Sequence, residues 1–138
     1  MRKRTKAREY VLQMLYQADI TRGSWQDILD SFWLSNDQEN ISAELKDFSA
    51  ELLKGVVEHM QEIDEKISKY AANWKLERMA FVDRNIMRLG CFELIFREDI
   101  PPKVTINEAV ELAKKYSGSE SGKFVNAILD QIKIEKEK

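Results

Sequence analysis

Residues 82–96, VDRNIMRLGCFELIF, decide the class of this fold. Ile86, Met87, Leu89, Cys91, Phe92, Leu94, Ile95 and Phe96 leave the stretch almost no polar side. A helix that is apolar all round belongs among other helices, because none of its surface suits water. Gly90, inside the run, permits a neighbouring helix to come close. Asp99-Ile100-Pro101-Pro102 ends it, since proline keeps the residue before it out of helical geometry.

The segments on either side are helical too. Tyr10, Val11, Met14, Leu15 and Ala18 recur on one helix face. Gly23 is expected to stop that helix. Ser24 starts the next, with Asp27 three residues on and Ile28, Leu29, Phe32 and Trp33 as its apolar side. SNDQEN, residues 35–40, reads as a surface loop and as the hinge that divides an N-terminal helix pair from the remainder. From about Ser42 a single long helix is predicted, because Leu45, Phe48, Leu52, Val56, Met60, Ile63, Ile67, Tyr70 and Trp74 keep one stripe. Gly55 inside it costs ~1 kcal/mol relative to alanine, so a close helix crossing is expected there.

Towards the C-terminus, Thr105-Ile106-Asn107-Glu108 has the form of a capping box, with Val104 and Ala109 placed as a hydrophobic staple. The helix it starts carries Ala109, Val110, Leu112, Ala113 and Tyr116. SGSESG, residues 117–122, is expected to break it, and a last helix holds Phe124, Val125, Ile128, Leu129 and Ile132. No alternating strand pattern competes with this reading. The expected fold class is all-α.

A chain of 138 residues is one ordinary domain, able to bury roughly 68% of its extended-chain surface. At 43% hydrophobic it is too apolar for disorder, yet no run approaches the ~20 apolar residues of a membrane span. The N-terminus opens straight into basic residues and has no secretory apolar region. Cytoplasmic residence is the expectation. Of 22 basic and 24 acidic residues, Arg2, Lys3, Arg4, Lys6 and Arg8 crowd into residues 1–8 without an acid. The remainder holds 17 basic against 24 acidic groups, so a basic tip sits on an acidic body. That pattern suits a local polyanion contact, and equally a solvated terminus.

Chemistry is largely excluded. His59 is the only histidine, and Cys91, the only cysteine, lies in the most apolar segment as a small hydrophobe. A disulfide framework, a CxxC or histidine-rich metal site, and a glycine-rich nucleotide loop all lack their residues. No enzyme activity, metal or cofactor is expected. The sharper feature is Gly122-Lys123-Phe124, where a glycine-containing loop is expected to meet the last helix. Backbone amides at a helix start together with Lys123 suit an anion, and the Phe124 ring suits a stacked base. Phe124 also fits an ordinary core position four residues before Ile128.

FVDRNIMRLGCFELIFREDIPPKVTINEAVELAKKYSGSESGKFVNAILDQI, residues 81–132, resembles the C-terminal half of the NusB family of bacterial transcription antitermination factors. DRNIMRLGCFEL, VTINEAVELAKKY and GKFVNAILD carry the likeness in that order, and AREYVLQMLYQAD, residues 7–19, resembles the family's opening helix. It is weakest from Trp25 to Asn40. The resemblance implies about seven helices in two packed bundles forming one compact domain over residues 1–138, with a basic arm over residues 1–8. It implies binding of single-stranded boxA RNA in ribosomal RNA leaders, together with the small-subunit ribosomal protein NusE, within an RNA polymerase complex that resists termination. The same helical domain also occurs fused to ribosomal RNA methyltransferases, for which this chain leaves no room, so the free-standing factor is expected.

Residue by residue, the resemblance assigns RNA contacts to Arg2, Lys3, Arg4, Lys6 and Arg8, and to Lys123 and Phe124 on the last helix. Gln13 and Tyr16 on the first helix are weaker candidates. The ribosomal partner is assigned to Asp83, with Arg84 and Arg88 beside it. Gly90-Cys91 departs from a family pair that is commonly larger and apolar, and the 117–122 loop is richer in glycine. A helical adaptor that binds protein without RNA specificity is the alternative. A homodimer that covers the RNA surface also stays open.

Overall fold

Where each helix starts and stops follows from a few capping contacts and one break that periodicity does not reveal. The structure, a computed structural model, describes residues 3–36, 40–71 and 79–138. Arg2, Trp74 and residues 37–39 of the expected loop lie outside the described residues. The described elements are seven α-helices: α1 (Lys3–Thr21), α2 (Trp25–Ser35), α3 (Ala43–Glu58), α4 (Met60–Tyr70), α5 (Phe81–Phe96), α6 (Pro102–Ser117) and α7 (Ser119–Glu137). There is no strand among them. The expected all-α class is the one observed. The helices fall into two compact units, Met1–Glu58 and His59–Lys138.

In the first unit, α1 packs against α3 and α2. Ala7, Val11, Met14 and Leu15 of α1 are buried, as are Leu45, Phe48, Leu52 and Val56 of α3. Tyr10 meets Phe32 and Trp33 of α2 edge-on, with ring centroids 5.3 and 5.8 Å away, and such pairs add about 0.5–1.5 kcal/mol each beyond burial. The Ser24 hydroxyl accepts from the Asp27 amide at 3.2 Å and caps α2 as its sequence implies. The stop before it belongs to Arg22 and not to Gly23. Arg22 takes the left-handed conformation (φ 57°), and its amide donates to the Ala18 carbonyl.

The long helix expected after Ser42 is two helices. At His59 (φ −112°, ψ 18°) the backbone leaves helical geometry for one residue, and α4 restarts with the Ile63 amide bonded to the His59 carbonyl. The boundary between the compact units falls at this break, not in the 35–40 loop. The apolar stripe continues past it in the sequence because Val56 before the break and Ile63 after it are each buried in their own unit.

The second unit is built on α5, whose residues 85–94 are all buried, with α4, α6 and α7 packed against it. At Gly90 an added Cβ would stand 2.7 Å from Leu129 Cδ1, so the glycine is what lets α7 come this close. Arg88, 7% exposed, grips Asp64 of α4 through two hydrogen bonds of 2.8 and 2.9 Å and donates a third, 3.1 Å, to Asn85. The buried Thr105 hydroxyl donates to Glu93 at 3.0 Å and ties α6 to α5. Thr105 therefore caps nothing. The helix starts three residues earlier at Pro102, whose fixed φ suits a first turn, and Val104 is 42% exposed and not a staple. Gly118 alone separates α6 from α7, at φ 102°, and residues 119–122 belong to α7. At the far end of α7, Glu135 bonds Lys66 and Lys69 of α4 at 3.1 and 2.8 Å, while Lys136 reaches the Leu94 carbonyl.

Candidate nucleic-acid interface

From Lys3 onward the expected basic arm is instead the first two turns of α1, and its charges divide between two sides of that helix. Lys6, Gln13 and Tyr16 sit at i, i+7 and i+10 and share a side. Gln13 is exposed, Tyr16 is 46% exposed, and Lys6 lies 5.1 Å from the Tyr10 ring centroid and 3.8 Å from the Glu9 carboxylate. Lys3 pairs with Glu44 of α3 at 3.4 Å, with both side chains mostly in water, where an ion pair contributes only about 0–1 kcal/mol.

Arg4 and Arg8 lie one turn apart and turn towards α3. Their guanidinium carbons stand 4.3 and 5.6 Å from the Phe48 ring centroid. The two are not equivalent. Arg4 is exposed, whereas Arg8 is only 2% exposed, which gives it a structural place instead of the surface RNA contact the family assigns. A hollow of about 410 Å³ beside them is lined by Lys3, Arg4, Glu44, Asp47, Phe48 and Glu51.

In the second unit, Lys123 and Phe124 follow the first turn of α7. Because α7 starts at Ser119, the Gly122 amide already bonds the Gly118 carbonyl at 3.3 Å. The helix-start amides expected beside Lys123 thus lie four residues earlier, and any anion contact at Lys123 falls to its ammonium. That ammonium is exposed and 3.5 Å from Glu120. Phe124 is half-buried, between the two readings its sequence allows. An added Cβ at Gly122 would lie 3.0 Å from Lys114 Cγ, so the glycine seats this turn tightly on α6.

Asp83, half-buried in the first turn of α5, accepts from the Ser121 hydroxyl at 3.1 Å. Negative charge there also suits the helix dipole. Arg84 lies over the Phe81 ring, 4.7 Å from its centroid. Arg88 is the internal tie to Asp64 and presents no free face to a partner, contrary to its assignment from the family. The residues that composition did not single out are Phe48, Asp64, Glu44 and Ser121. Each acts on a residue 24 or more positions away, and no local spacing signals that.

The remaining reactive groups are placed for packing. Burial pushes the Cys91 thiol up to about 12, so it has no thiolate at neutral pH. His59 stacks on Phe96 with centroids 4.1 Å apart. Among the described residues no group of three His, Cys, Asp or Glu side chains could hold a metal ion, and no helix is long and apolar enough to cross a membrane.

Comparison with known proteins gives one consistent result. The family model described as the NusB family matches residues 5–133. The Transcription antitermination protein NusB of Thermodesulfovibrio yellowstonii is 46% identical over 138 residues, covering 94% of this chain and 91% of that protein. A solved structure of T. maritima NusB superposes with a TM-score of 0.87 at 39% identity, covering 96% of this chain and 91% of the other. A crystal structure of the antitermination factors NusB and NusE in complex with dsRNA contains a chain similar to this one, with a TM-score of 0.87, 30% identity and 98% coverage of both.

Proposed function

This chain belongs to the NusB family, and on that premise we propose that it is an RNA-binding transcription antitermination factor that works with a NusE-type ribosomal protein. The observation that carries the reading is the first two turns of α1, which hold Lys3, Arg4 and Lys6, with exposed Gln13 and Tyr16 further along the side that Lys6 occupies. Phosphates supply most of the affinity for such a surface, and aromatic rings supply stacking for unpaired bases. Tyr16 on α1 and Phe124 on α7 are the rings we assign to bases. Asp83 and Arg84 are the groups we assign to the ribosomal partner.

The role is binding and not catalysis, and its site is the cytoplasm, where ribosomal RNA is transcribed. We read residues 1–138 as one functional domain, because the family match spans both compact units. The RNA expected from the family likeness is a boxA-type single strand, delivered to RNA polymerase in the antitermination complex.

A mobility-shift titration tests this with a short boxA-type single strand, its duplex form and an unrelated strand, each with and without the ribosomal partner. The expected result is a shift of the boxA strand by the protein alone and a tighter one with the partner. If the partner binds and no RNA shifts under either condition, the protein is an adaptor without RNA specificity.

A further inference from the structure

We propose that Phe48 of α3 is a positioning residue for RNA binding, holding the Arg4 guanidinium stacked on its ring so that its donor edges meet a phosphate already ordered. The inference rests on the proposed RNA-binding role of α1. Phe48 is 6% exposed and fixed in the core of the first unit, so its ring is a rigid platform. Arg4 stands 4.3 Å above the centroid, well inside the ~6 Å range of cation–π attraction. Buried Arg8, one turn on, lies 5.6 Å from the same ring, which fixes α1 against this part of α3.

Stacking uses the flat faces of a guanidinium and leaves its in-plane N–H groups for planar hydrogen bonding to phosphate. An arginine on a mobile terminus loses rotamer freedom when it meets RNA, whereas one held on a ring has lost much of it beforehand. Phe48 therefore adds affinity without adding charge. That separates its signature from that of the cations themselves.

The test compares Phe48→Leu, Phe48→Tyr and Arg4→Gln in salt titrations of boxA-type RNA binding by the full chain. Phe48→Leu is expected to weaken binding about fivefold at an unchanged log-log salt slope, because no phosphate contact is deleted. Arg4→Gln should flatten the slope by about 0.7. Phe48→Tyr keeps the ring and should bind like the parent. A folded Leu variant with parental affinity overturns the proposal, and so does a Tyr variant as weak as Leu. If the Leu variant does not fold, the Arg4 side-chain protons of the parent decide by NMR. Upfield ring-current shifts support the stack, and random-coil shifts overturn it. Parental binding by Arg4→Gln would instead defeat the RNA role of this turn, whatever Phe48 does.

Discussion

Ser121 donates its hydroxyl to Asp83 Oδ2 across 3.1 Å, and this hydrogen bond joins the first turn of α7 to the first turn of α5. The other carboxylate oxygen, Oδ1, is buried and has no hydrogen-bond partner among the described residues. The surface assigned to the ribosomal partner and the turn that leads into Lys123 and Phe124 thus share a side-chain contact within one unit.

Asp83→Lys should weaken binding of the ribosomal partner about tenfold or more through charge reversal, measured by calorimetric titration. Asp83→Asn keeps an acceptor for Ser121 while removing the charge, so it should cost less. RNA binding by the isolated protein should stay within about twofold in both variants. If partner and RNA binding fall in parallel at unchanged stability, the two surfaces are one.

Phe124 tests stacking against packing. Phe124→Ala should cost ~1–3 kcal/mol of RNA affinity if the ring stacks on a base. Its cost in folding stability should fall below the ~3–5 kcal/mol typical of a fully buried phenylalanine, because the residue is only half-buried. Phe124→Leu keeps much of the apolar volume and loses the aromatic face. A leucine variant that binds RNA as tightly as the parent rules out the stack.

The ion pairs at the end of α7, screened by solvent, should give stability a small dependence on acid. Hydrogen bonds from Lys69 and then Lys66 draw the Glu135 carboxyl down to about 2, from an ordinary value of 4.5. A folded-state value below the unfolded one adds stability that is complete above about pH 4.5 and lost as the pH falls towards 2. Glu135→Gln should lower the urea midpoint at pH 7 and flatten its decline between pH 4.5 and 2. Coincident curves for the parent and the variant would show that the contact adds nothing to stability.

Burial of Ile86, Met87, Leu89, Cys91, Phe92 and Leu94 and the Ser24 cap were legible because each depends on neighbours in sequence. The break at His59 was not, since one residue leaving helical geometry disturbs no periodicity when Val56 and Ile63 both stay buried. Ser119 to Gly122 have the composition of a loop, yet Gly118 makes the whole turn and leaves them to the helix. Thr105 fits a capping box by spacing, but its hydroxyl is taken by Glu93 on another helix. Charge was the least legible property at the candidate site. A basic residue in the sequence carries no sign of whether it faces water, as Lys3 does, or lies inside, as Arg8 and Arg88 do.

The salt dependence of RNA binding tests the central claim most directly. Deleting residues 2–8 would remove the start of α1 and buried Arg8, so the informative variant neutralises Arg2, Lys3, Arg4 and Lys6 to glutamine and leaves Arg8 in place. Four phosphate contacts predict a log-log slope near −3 for single-stranded RNA, from ~0.7 per contact. The neutralised protein should keep its thermal midpoint, bind more weakly and show a much flatter slope, with Lys123 the one assigned cation left at the surface. Equal affinity and an equal slope for parent and variant would contradict the account, because RNA binding would then owe nothing to the cations at the start of α1.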